Sequence, residues 1–167
     1  RFYCLKIDNG IPLWQNRCNR EPVGTITLTS DKVYFVTGDN WLYVSAATKR
    51  DLVWKFQAAG ELPGVIVDND QCLLPSADTA LYCFDPESGK MLWKHLCGGS
   101  LFEMPIITAD SIYQPVSRSS LLCLERYPDN ENGSVRWTLD EGLALLAQHN
   151  NLSYVITRNQ EITVMDN

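Results

Sequence analysis

Tryptophans recur at a nearly constant interval along this chain of 167 residues. Trp14, Trp54, Trp93 and Trp137 lie 40, 39 and 44 residues apart, and the longer last interval contains a polar insert at residues 127–132. An interval near 40 residues is typical of solenoids and propellers, in which each repeat forms one supersecondary unit. The spacing therefore predicts that residues 1–167 form a single repeat domain.

One period of the repeat contains four short apolar runs. Between the third and fourth of these tryptophans they cover residues 104–107, 111–116, 120–124 and 134–139. Turn-forming residues separate the runs, and no long helical periodicity crosses them. The pattern predicts an all-β chain, a β-propeller or partial propeller with about four blades' worth of four-stranded antiparallel repeats.

A glycine-containing turn precedes the third tryptophan. In the segment DPESG, Pro86 favours the φ of a type I turn, Asp85 can accept backbone amides, and Gly89 can adopt the positive φ that closes a hairpin. We expect each tryptophan to pack its ring against the neighbouring blade and to fix the angle between blades. The predicted structural motif consists of Trp14, Trp54, Trp93, Trp137, Gly10, Gly89, Gly133 and Asp85.

Residues 83–93, CFDPESGKMLW, resemble the tryptophan-docking motif of the PQQ-like (pyrroloquinoline-quinone-type) propeller repeats. In the other copies the motif is degraded, because Lys6 and Ala46 stand at the aspartate place and Arg50 at the glycine place. The resemblance covers essentially the whole chain and implies a propeller. It also implies two functional classes: quinoprotein dehydrogenases with PQQ and calcium on the propeller axis, and non-enzymatic propellers that serve as scaffolds or sensors.

The residues favour the non-enzymatic class, so we predict no catalytic residue, no metal site and no PQQ or calcium. Members of the enzyme class have an adjacent cysteine pair, and no two of the six cysteines here are adjacent. The cysteines occupy small or apolar positions of the repeat, which favours structural thiols. His95 and His149 lie far from other ligand types, and Asp68, Asp70 and Asp78 lack calcium-loop spacing, so we expect surface histidines and solvated turns.

The charge distribution excludes some partners. The net charge is −6 and the densest basic spot is Lys49-Arg50, which argues against a nucleic-acid or anionic-membrane surface. No apolar run is long enough for a membrane helix. We predict a non-catalytic scaffold that presents loops at residues 61–64, 98–103 and 127–132 to a protein partner. A quinoprotein-like enzyme and a ligand-sensing propeller with an axial small-molecule site remain open.

The strand count leaves an incomplete blade at each end, because residues 2–5 and 162–165 both match the third strand of the repeat. Three arrangements are open: a compact ring in which the two ends complete one blade, closure by a second copy or another chain, and a larger propeller that supplies the remaining blades. We favour the larger propeller and then closure by assembly with a second copy or another chain. Reduced thiols suggest the cytoplasm, and a cell-envelope location is common among bacterial relatives, so the compartment stays open.

Overall fold

The computed structural model describes residues 1–118 and 120–167. These residues form five antiparallel sheets without a helix, which confirms the predicted all-β, propeller-type fold. The first sheet contains β1 (Phe2–Leu5) and β2 (Pro12–Asn16). The second contains β3 (Pro22–Leu28), β4 (Lys32–Thr37), β5 (Trp41–Ala46) and β6 (Leu52–Gln57). The third contains β7 (Ile66–Asp68), β8 (Gln71–Pro75), β9 (Ala80–Phe84) and β10 (Met91–Leu96).

The last two sheets follow the same plan. The fourth contains β11 (Ile106–Ile107), β12 (Ser111–Val116), β13 (Ser120–Glu125) and β14 (Val135–Asp140). The fifth contains β15 (Gly142–His149), β16 (Leu152–Thr157) and β17 (Ile162–Asp166). Strands pair in sequence order within every sheet. The predicted run 104–107 shortens to β11, and one cause is Pro105, which has no N–H to donate to a ladder.

An apolar cluster joins each sheet to the next. The tryptophan on the fourth strand of a repeat belongs to the cluster that faces the following sheet: Trp14 joins the first and second sheets, Trp54 the second and third, Trp93 the third and fourth, and Trp137 the fourth and fifth. In the third sheet the second and third strands, β8 and β9, are buried on both faces. The core is therefore a series of layers between sheets.

Three of these four indoles donate a hydrogen bond to the next sheet. Trp14 Nε1 donates to Ala47 O, Trp54 Nε1 to Pro86 O, and Trp137 Nε1 to Asn167 Oδ1, each at 3.0 Å. The three acceptor residues occupy equivalent positions of the repeat. Each lies three residues after the third-strand position that Val44 occupies in the second sheet. These bonds add a fixed direction to the apolar contact, since a buried indole N–H needs an acceptor.

Trp93 departs from this pattern. Its Nε1 is buried and has no hydrogen-bond partner. The equivalent acceptor in the fourth sheet is Arg126 O, which accepts a hydrogen bond from Gln71 Nε2 at 2.6 Å. At the junction between the third and fourth sheets, a glutamine side chain therefore donates the hydrogen bond that an indole donates at the other junctions.

The motif turn has the geometry that its residues predict. Asp85 Oδ1 accepts hydrogen bonds from the N–H groups of Glu87 at 3.0 Å and Ser88 at 2.6 Å, and Gly89 has a φ of 71°. A Cβ at Gly89 would lie 2.6 Å from Cδ2 of Trp54. The glycine thus meets the tryptophan of the preceding sheet in addition to closing the hairpin.

The other two motif glycines make looser contacts. A Cβ at Gly133 would lie 3.2 Å from Cβ of His95 and 3.4 Å from Cε3 of Trp93, whereas one at Gly10 would have no neighbour within 4 Å. Both residues have a positive φ, 71° and 68° respectively. The positive φ is therefore common to the three turns, but the distance from each glycine to its neighbours differs.

The first and fifth sheets each leave a strand with one open edge. In the described residues β1 pairs only with β2, β17 pairs only with β16, and no hydrogen bond joins the two sheets. The compact ring, one of the three arrangements left open by the sequence, is not what this structure shows.

Candidate functional site: the connection face

The connections between sheets and the turns between second and third strands lie at the same end of the strands, because neighbouring strands are antiparallel. We call the part of this end that is formed by residues 38–40, 58–65, 76–79 and 97–105 the connection face. It contains two of the three loops that the sequence nominates, residues 61–64 and 98–103.

Backbone hydrogen bonds hold these segments together. Ala77 N donates to Glu61 O at 2.8 Å, Cys97 N to Thr79 O at 2.8 Å, and Ala58 N to the carbonyl of Asn40 at 3.0 Å. Each connection is thereby fixed to a turn of a sheet that it joins. A surface that is ordered before binding loses less conformational entropy when a partner docks.

Asp78 is the main side-chain anchor of the connection face. Its Oδ2 accepts hydrogen bonds from Ala59 N at 3.0 Å and from Tyr82 Oη at 2.8 Å, and its Oδ1 accepts one from Ala80 N at 3.1 Å. Partial burial opposes ionisation, but these bonds favour the carboxylate and lower its pKa. Asp78 therefore remains charged while it stabilises the loop.

Thr79 carries backbone strain at the same turn. Its φ is 76°, whereas the equivalent turn of the second sheet places Asn40 at a φ of 65°. A β-branched residue in the left-handed region is uncommon, since its side chain crowds the backbone there. Strain of this kind is found at binding sites more often than elsewhere.

A cavity of about 350 Å³ opens on the connection face between the second sheet and the connection that follows β6. Its lining combines two glycines with apolar and polar residues: Val23, Gly24, Thr37, Gly38, Asn40, Glu61, Leu62 and Pro63. Gly24 has a φ of 65°, and a Cβ there would lie 2.3 Å from Pro63 O. The backbone of β3 thus approaches the connection closely enough to exclude any side chain at this wall.

The charge of the connection face has one sign. Its four segments contain Asp39, Glu61, Asp78 and Glu103 but no lysine or arginine. The exposed ring of Phe102 adds an apolar contact point. Such a surface suits a partner segment that carries lysine or arginine beside an apolar side chain.

The third nominated loop lies elsewhere. The insert at residues 127–132 follows β13, at the opposite end of the strands, and packs on the third sheet. Lys94 N donates to Glu131 O at 2.9 Å, and His95 Nδ1 lies 2.9 Å from Asn132 O. This loop therefore covers part of the edge of β10, while most of its residues are exposed, and its presentation to a protein partner stays a prediction.

The other residues singled out in the sequence do not converge. Asp68 pairs with Arg126 at 2.9 Å and Asp70 accepts a hydrogen bond from Tyr127, at the end opposite Asp78. Of the two histidines, His95 is half-buried and His149 is exposed.

All six cysteines are free, and burial raises the pKa of the Cys83 thiol to about 12. In the part of the chain that the structure describes, no three His, Cys, Asp or Glu side chains gather as metal ligands.

Sequence reasoning missed the cavity. Its walls come from β3, the turn after β4 and the connection after β6, which meet only in the folded sheet stack. No local sequence signal indicates this cavity, because the contact between these segments depends on the folded chain.

Comparison with known proteins gives a consistent picture. A family model described as "Outer membrane protein assembly factor BamB" matches residues 1–65 and again residues 44–167. No curated protein sequence matches this chain.

Solved structures resemble this one at low sequence identity. BamB from Moraxella catarrhalis has a TM-score of 0.65 and 14% identity over 94% of this chain and 50% of that chain. The computationally designed Ika8 protein has a TM-score of 0.75 and 10% identity over 98% and 52%. A europium-containing methanol dehydrogenase has a TM-score of 0.62 and 16% identity over 73% and 25%. These similarities show the fold alone, and the chain spans half the length of the Moraxella protein.

Proposed function

The chain belongs to the PQQ-like propeller family described as outer membrane protein assembly factor BamB, and from this premise we propose that it is a non-catalytic scaffold that binds a protein partner through the connection face. Its role would be to hold that partner in a larger assembly, in keeping with the description of the family. The remaining blades of a larger propeller, or a second copy, would complete the scaffold.

The observation that carries this proposal is the charged, pre-ordered connection face. The four segments carry four acidic side chains and no lysine or arginine; Glu61 lines the cavity, and the ring of Phe102 is exposed in the same face. Complementary charge steers a partner and fixes its orientation, while a buried aromatic anchor supplies affinity. A basic segment with one apolar side chain is the partner chemistry that fits.

A quinoprotein-like enzyme is the second candidate, because a methanol dehydrogenase shares the fold. The described residues offer no gathered donor set for calcium, as noted above, so we do not propose a cofactor. Calcium-dependent PQQ binding, or dye-linked alcohol oxidation by the purified protein, would overturn the scaffold proposal. The described residues contain no helix that is long and apolar enough to cross a membrane.

Site-specific photo-crosslinking in the source cells tests the scaffold proposal. A photoreactive amino acid at Phe102 or Glu61 should give covalent adducts with one common protein, identified by mass spectrometry. The same amino acid at Lys49, an exposed residue at the opposite end of the strands, is the positional control.

Charge reversal supplies the matched variants. Glu61→Lys and Glu103→Lys should weaken crosslinking from Phe102, whereas Asp129→Lys makes the same change of charge on the insert and should not. Equal crosslinking from Lys49 and Phe102, or no effect of the two glutamate reversals, would refute the connection face as the binding surface.

A further inference from the structure

The chain contains two Asn-Gly pairs in equivalent turns. Asn9-Gly10 lies between β1 and β2, and Asn132-Gly133 lies between β13 and β14, at the end of the insert. An acidic residue precedes each pair, both asparagines are exposed, and the two glycines have similar φ values of 68° and 71°. The pairs therefore match in local sequence, exposure and backbone conformation.

Hydrogen bonding distinguishes the two pairs. Gly10 N donates to Lys6 O at 2.8 Å. Asn9 Oδ1 accepts the N–H of the residue after the glycine at 3.1 Å. In the second pair, the described residues provide no acceptor for Gly133 N and no partner for the side-chain amide of Asn132. The two groups that would react with each other are therefore free only in the insert.

The length of the insert explains this difference. In the motif turn of the third sheet, Gly89 N donates to Asp85 O at 2.9 Å, and Gly10 N makes the same bond to the residue four positions before it. The residue equivalent to Asp85 in the fourth sheet is Glu125, because its N–H donates across the turn in the same way. Gly133 follows Glu125 by eight positions instead of four, so the regular bond of the turn is lost.

Asparagine is chemically labile when the next backbone nitrogen can reach its side chain. Gly133 N would form a bond to Cγ of Asn132, the Cγ–Nδ2 bond would break, and ammonia would leave with the proton that Gly133 N gives up. Water then opens the resulting succinimide at either carbonyl. The products are aspartate and isoaspartate, and the main chain of isoaspartate is one carbon longer. Glycine favours the attack because no side chain crowds its nitrogen.

We propose that Asn132 is a modification site at which the folded protein loses the side-chain amide, with water as the only co-reactant, and that Asn9 is protected from the same reaction. Protection has two parts, because Gly10 N and the Asn9 side chain must each give up a hydrogen bond before they can react. The insert lies at the end of the strands opposite the connection face, and either proposal can fail without the other.

Isoaspartate at this position would loosen the insert from β10. The insert is held on one side of Asn132 by the bond from Lys94 N to Glu131 O at 2.9 Å. On the other side it is held by the bond from Glu125 N to Ser134 O at 2.8 Å. An added backbone carbon between these two fixed carbonyls changes the path of the chain, and either product adds a negative charge beside Glu131. The N–H of Lys94 on the edge strand then loses its acceptor.

Peptide mapping of the purified full chain during incubation at physiological temperature in mildly alkaline buffer tests the proposal. Mass spectrometry should show loss of the amide at Asn132 roughly tenfold faster than at Asn9 or more, since both hydrogen bonds of the first turn must break before reaction. A protein isoaspartyl methyltransferase should label the peptide that contains Asn132. In concentrated urea the two asparagines should react at similar rates, because their local sequences match and the folded contacts are gone.

Asn132→Gln supplies the matched control, because glutamine keeps a side-chain amide but closes the corresponding ring far more slowly. Hydrogen–deuterium exchange then compares the aged parent protein with the equally aged variant. Exchange of the Lys94 amide should be roughly tenfold faster in the converted parent than in the variant, since its hydrogen bond is lost. The amide of Cys97, which donates to Thr79 O at 2.8 Å away from the insert, should exchange equally in both.

Four outcomes would overturn parts of the proposal. An intact Asn132, or equal loss of the amide at Asn9 in the folded protein, would refute the modification site. A faster reaction of Asn132 in urea as well would assign the difference to local sequence instead of the fold. Unchanged exchange of the Lys94 amide after conversion would refute the loosening of the insert.

Discussion

Replacement of Gly89 by alanine tests the contact between a motif turn and the preceding sheet. The substitution has two costs. The left-handed φ of 71° costs any L-residue about 1 kcal/mol or somewhat more. The new Cβ would also lie 2.6 Å from Cδ2 and 2.7 Å from Cγ of Trp54, atoms of a rigid ring, and such overpacking costs about 1–3 kcal/mol. We expect a total loss of about 2–4 kcal/mol in the free energy of unfolding.

Two other glycines separate these costs. Gly10 and Gly98 have φ values of 68° and 78°, and a Cβ at either would have no neighbour within 4 Å. Their alanine variants should therefore lose only the backbone cost of about 1 kcal/mol.

Urea unfolding followed by far-UV circular dichroism measures all three variants against the parent protein. If Gly89→Ala destabilises no more than Gly98→Ala, the contact with Trp54 has no energetic weight and the role assigned to this glycine is wrong. In a Trp54→Leu background the excess cost of Gly89→Ala should shrink, because the ring that it meets is gone.

Three further predictions concern single side chains. Trp54→Phe should cost about 1 kcal/mol more than Trp93→Phe in urea unfolding, because only the first substitution removes an indole hydrogen bond; equal losses would contradict this. Thr79→Asn, which installs the residue type that the second sheet has at this turn, should raise the thermal midpoint by relieving part of the strain at φ 76°, and a lower midpoint would contradict the strain argument.

The carboxyl pKa of Asp78 is lowered in the folded state, so its stabilising effect is complete above the unfolded pKa and is lost as pH falls through the folded pKa. The stability difference between the parent protein and Asp78→Asn should therefore be largest at neutral pH and shrink in acid, and a difference that is constant with pH would rule out this linkage.

The fold was accessible from sequence because its signal is periodic. Tryptophan spacing and alternating apolar runs identify repeated sheets, and the predicted run 111–116 coincides with β12. The positions of the tryptophans between sheets follow from the same pattern, since each sits on the fourth strand beside the next repeat.

Contacts between distant segments were not accessible in the same way. The hydrogen bond from Gln71 to Arg126 O joins residues 55 positions apart, and nothing local to either residue indicates that it stands where an indole bonds in other repeats. The position of the insert at residues 127–132 has the same explanation: its polarity predicts exposure, while its pairing partner is a strand of the preceding repeat. The connection face could be predicted only in part. The strand order predicts which segments lie at that end of the sheets, whereas the cavity is seen only in the folded chain.

The insert over β10 has a consequence for the behaviour of the protein at high concentration. The outermost strand of a sheet offers unpaired N–H and C=O groups that can recruit a strand from another molecule, which is a common start of aggregation. On β10 the backbone of Lys94 is already bonded to Glu131 O, and the remaining insert side chains are largely polar. The insert, which makes this repeat longer than the others, therefore protects the edge strand of the third sheet from pairing with another molecule. A chain shortened there to the standard period would be expected to lose solubility before it lost its fold.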